Sequence, residues 1–291
     1  MEWKYIYSST KGTSHEATNI PRQDNCKINV YTINGKDYLV SAVADGAGSA
    51  KHSDLSSKYI CNLFLKKTEN WLKSNNIEDI TRDTIVEWFF YFQKVVKRAV
   101  TLLKLESVRD LATTLLFSIL SENYNVFVQI GDGIIAKGDD ENGFECVFLP
   151  QNGEFLNTTH FATESNATDI FMFKTTNENV KRIAMHTDGI EQIAFDFKTQ
   201  KPFEPFFKPF FNALEKLKKY EYSESLSKQL ENFLTSDRVN KKTDDDKTLF
   251  LALSNAVLTI TNISDASNIF IQNTSNIFNA IEDKVNKDEE Q

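Results

Sequence analysis

The first clear pattern along the chain is an alternation of apolar and polar residues that ends in a turn signal. Residues 26–34 read CKINVYTIN, with a period of two, and the run closes on Asn34-Gly35 before a second apolar run begins. Asn-Gly between two apolar runs is the strongest short-range signal for a β-hairpin. The pattern therefore predicts antiparallel strands over 26–33 and 37–44.

Helical periodicity replaces this alternation after residue 54. Apolar residues recur near helical spacing in Leu55–Leu72, and a broad apolar stripe runs through Thr81–Leu105, where Thr81 can cap the first turn. The Phe-rich stretch PFEPFFKPFFNAL favours packing of aromatic rings against a sheet over a partner-binding surface. Three more helices are predicted, at about 187–194, 204–219 and 223–235.

Strand patterns return between the helical segments. Six apolar runs of strand length are separated by short polar connections: LATTLLFSIL, YNVFVQIGDG, GIIAKG, FECVFLP, DIFMFKT and VKRIAMHTDG. KTLFLALS, at 247–254, supplies a last strand. Many antiparallel strands with two long inserted helices predict an α+β fold, a sandwich of sheets with helices outside.

Aspartate recurs at the ends of these strands. Asp45, Asp132 and Asp188 each follow an apolar run and precede a glycine, and a triple aspartate, 244–246, stands before the last strand. A single Asp-Gly pair is more often a turn, but this recurrence favours a shared function. Adjacent strands of one sheet would bring the carboxylates together, where they repel one another until a cation binds. Ligands that are all oxygen favour Mg²⁺, Mn²⁺ or Ca²⁺ over zinc, and the glycines would keep the pocket open for the ion.

Charge and composition narrow the classes of function. The net charge is -8 and the chain has no basic block, so nothing attracts nucleic acid or an anionic membrane. No apolar run approaches the roughly 20 residues that a membrane span needs, and the first residues, MEWKYIYSST, do not read as a leader. We therefore expect a cytoplasmic protein. The three cysteines, widely separated, are expected to be free thiols.

A series of short motifs occurs in an order that resembles a known family. Gln23-Asp24 is followed by VADGAGS, LATTLL, GDG, HTDGIEQ and DDDKT. Together they resemble the metal-dependent Ser/Thr protein phosphatases of the protein phosphatase 2C type, in a bacterial form, over about residues 12–253. The resemblance implies two stacked antiparallel β-sheets flanked by helices, a four-layer α/β/β/α sandwich, in agreement with the fold that the patterns predict.

The resemblance also implies a set of metal ligands. Asp45 is similar to the acid that bridges two metal ions, with the Gly46 carbonyl as a further ligand. Asp188 resembles a ligand of the first ion, and Asp245 matches the ligand in the family's last motif. Asp132 resembles the acid that helps to hold a third ion. The implied cofactors are two Mg²⁺ or Mn²⁺ ions, with an optional third.

Other positions match the family's pattern less closely. Asp24 resembles the acid that supports the water on the metals, whereas Gln23 replaces the glutamate of many members. Ala47 stands where animal members carry a histidine that is proposed as the general acid, and many bacterial relatives also lack that histidine. The resemblance therefore implies Asp24, Asp45 and Asp188 as catalytic residues and leaves the general acid unassigned.

The phosphate-binding residue is the main departure from the family. Asn19 occupies the position of the usual arginine, five residues before Asp24. Two nearby residues are candidates to replace it. Arg22 has a guanidinium fork that suits phosphate oxygens, and His15 lies nine residues before Asp24. We expect one of the two to bind the phosphate of the substrate.

The resemblance implies hydrolysis of phosphoserine or phosphothreonine in proteins by a water that two cations activate. The expected partners are a phosphorylated protein substrate and a Ser/Thr kinase that opposes the enzyme. Gln23, Ala47 and the missing arginine leave a second interpretation open, a pseudophosphatase that binds a partner without turnover. A Ca²⁺-stabilised binding module is a third.

The composition changes after Ser254. Residues 1–254 are predicted to form the phosphatase domain, and 255–291 a C-terminal extension. The letters SNIF occur twice in this extension, and its apolar residues fit one helical face: Ile263, Ala266, Phe270, Ile277, Ile281 and Val285. We predict a partly helical extension with a frayed acidic end, which packs on its own domain or contacts a partner.

Overall fold

A computed structural model describes residues 1–139, 143–151 and 159–254 of the chain. The extension predicted for 255–291, its helical content and its frayed end lie outside the described residues. Within the described ranges, every helix is too short or too polar to pass through a lipid bilayer.

The chain forms twelve strands and eight α-helices in the part that the structure describes. The strands are β1 (Trp3–Thr10), β2 (Asn25–Ile33), β3 (Lys36–Ala44), β4 (Leu115–Leu120), β5 (Asn125–Ile130), β6 (Ile134–Asp139), β7 (Gly143–Cys146), β8 (Met172–Thr176), β9 (Arg182–His186), β10 (Phe195–Asp196), β11 (Lys201–Pro202) and β12 (Lys247–Ser254). The helices are α1 (Thr13–Thr18), α2 (Ser53–Leu72), α3 (Arg82–Leu103), α4 (Ala167–Ile170), α5 (Glu191–Ala194), α6 (Glu204–Glu215), α7 (Glu224–Leu234) and α8 (Asp237–Asn240).

Two five-stranded antiparallel sheets make up the centre of the fold. The first sheet has the order β1-β12-β9-β6-β7, and the second has the order β2-β3-β4-β5-β8. Strands β10 and β11 form a separate two-stranded ribbon. Helices flank the two large sheets, so the predicted α+β sandwich is confirmed.

The hairpin of the second sheet forms where the sequence predicts it. Strands β2 and β3 pair antiparallel, with Ile33 opposite Lys36 across the turn. Both turn residues have positive φ, 52° at Asn34 and 74° at Gly35. Asn and Gly are the residues that adopt this conformation at least cost, and a turn with two positive φ values matches the twist of the flanking strands.

Three apolar layers hold the sandwich together. Between the sheets lie Trp3, Leu39, Phe127, Met185 and Phe250, all at most 3% exposed. The outer face of the second sheet packs against α2 and α3 through rings such as Phe64, whose centroid lies 5.2 Å from that of Phe117. Each sheet is therefore covered on both faces.

The long helices and the Phe-rich segment also follow their sequence patterns. The Thr81 side chain accepts a hydrogen bond from the backbone N–H of Thr84 and caps α3. Helix α6 buries four rings, Phe206, Phe207, Phe210 and Phe211, against the outer face of the first sheet. The prediction that the Phe-rich stretch packs against a sheet is confirmed.

Strand β1 is absent from the predicted elements. It pairs along its whole length with β12, from Trp3 opposite Ser254 to Thr10 opposite Lys247. Its sequence, WKYIYSST, alternates only weakly in polarity because tyrosines and serines occupy half of the positions. The stability of this strand comes from its partner, which lies near the other end of the domain, and no local pattern carries that information.

Candidate metal centre

Three carboxylates meet at one edge of the sandwich. Asp45 follows β3 of the second sheet, and Asp188 follows β9 of the first. Asp132 lies in the crossing from β5 to β6, where the chain passes between the sheets. One carboxylate oxygen of each lies within 4.8 Å of those of the other two. The structure therefore brings together three of the predicted metal ligands.

The route by which they meet differs from the prediction. The sequence pattern places the acids on adjacent strands of one sheet, whereas the structure uses both sheets and the connection between them. Only Gly131, Asp132 and Gly133 separate β5 from β6. Because so short a connection cannot span more than about 10 to 14 Å, the ends of β5 and β6 must face each other at a shared edge.

The carboxylates of this cluster repel one another, and their pKa values show it. Burial raises the pKa of Asp45 well above its usual range, and the nearby charges of Asp188 and Asp24 raise it further. Burial raises the pKa of Asp132 to about 6, with Asp188 adding to the shift. Carboxylates that raise one another's pKa are relieved either by protons or by a bound cation.

The glycines beside these acids have a different role from the predicted one. A Cβ atom on Gly46 would lie 2.7 Å from the Cβ of Ser53, and one on Gly189 would lie 1.8 Å from the backbone oxygen of Asp246. A Cβ on Gly133 would lie 2.8 Å from the backbone oxygen of His186. The glycines therefore admit neighbouring protein atoms and do not keep a pocket open. They fix each aspartate by close packing of the backbone around it.

Asp24 lies buried beside the cluster. Its Oδ2 atom accepts hydrogen bonds from the hydroxyls of Thr187, at 2.8 Å, and Thr248, at 2.7 Å. Burial raises the pKa of Asp24 to about 8 against the opposing effect of these hydroxyls. The two threonines lie directly after β9 and in β12 of the first sheet, and they hold Asp24 just before the first residue of β2 in the second sheet.

Asp246 holds the loop that carries Asp24. Its Oδ1 accepts the backbone N–H of Gly12 at 2.7 Å, and its Oδ2 accepts that of Gln23 at 2.5 Å. The N–H of Asp24 also points to Oδ2, at 3.3 Å. Asp246 is 2% exposed. Among the predicted motifs it was only the neighbour of Asp245, yet it binds the loop directly.

Asp245, the predicted ligand of the last motif, is exposed and lies outside the three-carboxylate cluster. Its Oδ1 accepts the backbone N–H of Asp246 at 2.7 Å. The buried Lys247 donates its Nζ to the backbone oxygen of Asp245 at 3.1 Å, which fixes the main chain at this point. Although the residue is exposed as a whole, the protein atoms around its carboxyl group raise the pKa of Asp245, and the charge of Asp188 raises it further, so the two acids are neighbours. The metal ligation of Asp245 stays a prediction.

The two candidate phosphate residues are both engaged with the protein. The His15 Nδ1 atom lies 3.0 Å from Asp246 Oδ1, and the residue is 7% exposed. Arg22 is exposed at the surface, where its Nε donates to the backbone oxygen of Asp24 at 3.0 Å and its Nη1 donates to that of Ser9. Of the two, only Arg22 presents its side chain to solvent.

Two of the departures from the family, Asn19 and Gln23, have local explanations. Asn19 ends α1 with a φ of 57°, a left-handed conformation that asparagine adopts more readily than arginine. Gln23 donates its side-chain Nε2 to the backbone oxygen of Ala50 at 2.8 Å, which fixes the loop that follows Asp45. Ala47 donates its backbone N–H to the oxygen of Ala112 at 3.0 Å.

Sequence reasoning missed one further acid near the cluster, Glu191. Burial raises the pKa of Glu191 to about 7, and the charges of Asp188 and Asp132 add to the shift. A usable signal was present, because Glu191 follows Asp188 by three residues in HTDGIEQ and three residues bring side chains to one face of a helical turn.

The donor set fits a hard divalent cation. Asp45, Asp132 and Asp188 offer only oxygen atoms, and no histidine or cysteine joins them within the part of the chain that the structure describes. Mg²⁺ and Mn²⁺ prefer such ligands, whereas zinc sites use nitrogen and sulfur. A bound cation would remove the repulsion among the three carboxylates.

Comparison of the sequence with known proteins identifies one family. Residues 11–235 match a family model described as protein phosphatase 2C. The chain is 34% identical over 256 residues to serine/threonine-protein phosphatase 3 of Escherichia coli K12. That match covers 87% of this chain and 99% of the relative.

Solved structures of bacterial serine/threonine phosphatases have a similar fold. A serine/threonine phosphatase from Staphylococcus aureus superposes with a TM-score of 0.56 at 13% identity, over 86% of this chain and 94% of that one. The S. agalactiae serine/threonine phosphatase superposes with a TM-score of 0.57 at 12% identity, over 87% of this chain and 100% of that one.

Proposed function

Because the chain belongs to the protein phosphatase 2C family, we propose that it removes phosphate from phosphoserine and phosphothreonine in proteins with the help of divalent metal ions. The observation that carries this proposal is the cluster of Asp45, Asp132 and Asp188, whose carboxylate oxygens lie within 4.8 Å of one another. The proposed substrates are phosphorylated proteins, and the proposed opposing enzyme is a Ser/Thr kinase. The cytoplasmic location stays a prediction.

The proposed cofactors are two Mg²⁺ or Mn²⁺ ions and an optional third. Asp45, the Gly46 carbonyl, Asp188 and Asp245 are proposed to hold the pair, and Asp132 the third. Bound there, the cations would lower the pKa of a water molecule and neutralise the charge of the phosphate. The raised pKa values of Asp45 and Asp132 support ligation, because a cation removes the repulsion that raises them.

Asp24 is proposed to position the attacking water. Both of its threonine hydrogen bonds converge on Oδ2, so we assign Oδ1 to the water. The burial of Asp24 raises its affinity for a proton, which suits a group that accepts a hydrogen bond or a proton during attack. Its position is fixed by the two threonines and by the backbone that Asp246 binds.

Arg22 is the better of the two candidates for phosphate binding. Its guanidinium is exposed and is oriented by two backbone oxygens, so part of the fork remains available to a phosphate at the surface. His15 is buried against Asp246, and a role in phosphate binding would require breaking that contact. We assign His15 to support of the loop.

A phosphopeptide assay tests the proposal. We expect a phosphothreonine peptide to release phosphate in Mn²⁺, release to stop when EDTA removes the metal, and Asp188→Asn to abolish it in Mn²⁺. A pseudophosphatase, to which Gln23 and Ala47 give some support, would bind the peptide without release. A Ca²⁺-stabilised module would gain thermal stability from Ca²⁺ and show no release in any metal.

A further inference from the structure

Helix α3 exposes apolar side chains on the face that points away from the sheet. Leu102 is 81% exposed and Phe90 is 56% exposed, although the opposite face of the same helix is buried in the core. Single exposed apolar residues are common on protein surfaces. On α3 they line one depression, and that arrangement is typical of a binding surface.

The depression lies between α3 and the segment that contains Ser165. Its volume is about 1010 Å³, and we call it the α3 groove, defined by Phe90, Lys94, Lys97, Arg98, Leu102 and Ser165. A second, mainly apolar depression of about 220 Å³ lies across the helix, lined by Tyr59, Val95 and Leu103 among others. Apolar surface therefore continues on both sides of α3.

The groove is also positively charged. Lys94, Lys97 and Arg98 are all exposed, and none of them forms an ion pair with another residue in ranges 1–139, 143–151 and 159–254. The protein as a whole carries a net charge of -8. A local group of three such cations on an acidic protein favours an acidic occupant.

The chain itself contains a segment with matching chemistry. Residues 255–291 carry six acidic residues and two lysines, and six of their apolar residues, those named above from Ile263 to Val285, fit one helical face. The E. coli relative is matched over 99% of its own length by 87% of this chain. About one eighth of the chain therefore has no counterpart there, which is close to the 37 residues that follow Ser254.

The length of this segment allows it to reach the groove. Fully extended, 37 residues span up to about 120 Å. A compact domain of 254 residues has a radius of gyration of about 18 Å, which corresponds to roughly 70 Å along the surface from one pole to the other. The 16 residues from Ser254 to Phe270 span up to about 55 Å when extended. This is more than three quarters of that path, so Phe270 can reach most of the surface of the domain.

We propose that residues 255–291 dock in the α3 groove of the same molecule, with apolar side chains such as Phe270 and Ile277 against Phe90 and Leu102 and acidic residues beside the three cations. Tethering favours this occupant over a separate partner, because joining two binding groups in one chain can raise their effective concentration to the millimolar range. The docking does not depend on the proposed phosphatase activity.

Site-specific photo-crosslinking of the full chain tests this docking. Leu102 is replaced by a benzophenone amino acid, and Phe197, which is 55% exposed in the turn between β10 and β11, is replaced in a matched control. We expect a peptide from 255–291 to be crosslinked at position 102, at least about fivefold more than at 197, in a species with the mass of one chain. Crosslinks between two chains, or to no part of 255–291, would overturn the proposal.

Variants of the extension supply a second readout. With the benzophenone at position 102, Ile277→Glu is expected to reduce the crosslink at least about fivefold, because it places a charge in the apolar contact. Asn276→Glu adds the same charge one residue away, off the predicted apolar face, and is expected to change the yield less than twofold. Equal yields in the two variants would contradict the proposed contact. Melting temperatures identify any variant whose domain is unfolded.

Discussion

One acid and a cluster of three acids at the same edge of the sandwich differ in what surrounds them. Asp246 accepts backbone N–H groups from Gly12, Gln23 and Asp24 and lies beside His15. The group of Asp45, Asp132 and Asp188 consists of carboxylates that face one another. Asp246 is buried and the three acids of the cluster are partly buried, and the main difference between them is how many hydrogen-bond donors reach each carboxylate.

This difference separates a structural acid from a candidate ligand. Hydrogen-bond donors favour the charged form of a carboxylate, whereas burial and neighbouring negative charge disfavour it. The three-carboxylate cluster has the second environment, and the pKa values of Asp45 and Asp132 are raised accordingly. Donors from the protein satisfy Asp246. The donors that reach the cluster, such as the Thr159 side chain at Asp132, do not offset its burial and repulsion, which protons or a cation would relieve.

The largest effect should come from removing charge from the cluster. We expect Asp45→Asn and Asp188→Asn each to reduce kcat for a phosphopeptide at least about a hundredfold, because each removes a charged ligand of the proposed metals. Their metal-free forms should be at least as stable as wild type, since repulsion is removed. Steady-state kinetics in Mn²⁺ and thermal unfolding in EDTA measure the two effects. Near wild-type turnover in both variants would contradict the assignment.

Replacing Asp246 is expected to reduce stability, in contrast to the cluster variants. Asp246→Ala leaves buried N–H groups without an acceptor, so we expect the free energy of unfolding to fall by about 2 kcal/mol or more. Asp244→Ala is the matched control, because the structure shows only the backbone oxygen of Asp244 in contact with Ser14. Urea titration in EDTA compares them. If the two variants unfolded at the same urea concentration, Asp246 would not be the residue that holds the loop of Asp24.

The pH dependence of stability sharpens the comparison further. The folded-state pKa is raised to about 6 at Asp132 and about 8 at Asp24, so the folded protein binds protons that the unfolded chain has released. In EDTA, the free energy of unfolding should therefore fall as pH rises from about 5 to about 8. Mn²⁺ should remove most of this loss.

Asp132→Asn is the control for that measurement. It lacks one of the titrating groups, so its stability in EDTA should decline less steeply with pH than that of wild type. Thermal melts at several pH values supply the slopes. A wild-type stability that rises over this pH range in EDTA would show that the cluster is not a centre of repulsion.

The smallest effect is expected at Arg22. Its proposed contact is with the phosphate of the bound substrate, so Arg22→Ala should raise KM severalfold with little change in metal affinity. Arg22→Lys keeps the charge but loses the guanidinium fork, so its KM should lie between those of wild type and Arg22→Ala. Kinetics and metal titration by calorimetry separate these quantities. An unchanged KM in Arg22→Ala would leave the metals as the proposed phosphate site.

The placement of the acids at strand ends could be predicted because its signals are local, whereas their role as metal ligands stays a prediction. Asp45, Asp132 and Asp188 stand at the point where an apolar run stops, and a strand delivers its last residue to the edge of a sheet. The hairpin at Asn34-Gly35 is equally local. The family resemblance supplied the order of the motifs and the two-sheet fold.

The parts that could not be predicted depend on contacts between distant segments. The role of Asp246 requires Gly12 and Gln23, more than 220 residues earlier in the chain, to approach it. Strand β1 exists because β12 pairs with it. The glycines were misassigned because the atoms that crowd them, such as the backbone oxygen of Asp246 beside Gly189, belong to other elements.

The pairing of β1 with β12 also determines when the centre can exist during synthesis. Strand β1 and the loop that carries Asp24 leave the ribosome first, but the acceptor that fixes this loop lies near the end of the domain. At roughly 5 to 20 residues per second, more than about 10 seconds separate the two events. The nascent chain therefore carries its acids for that time without the geometry that unites them, and the enzyme becomes competent only when its last strand closes the sheet.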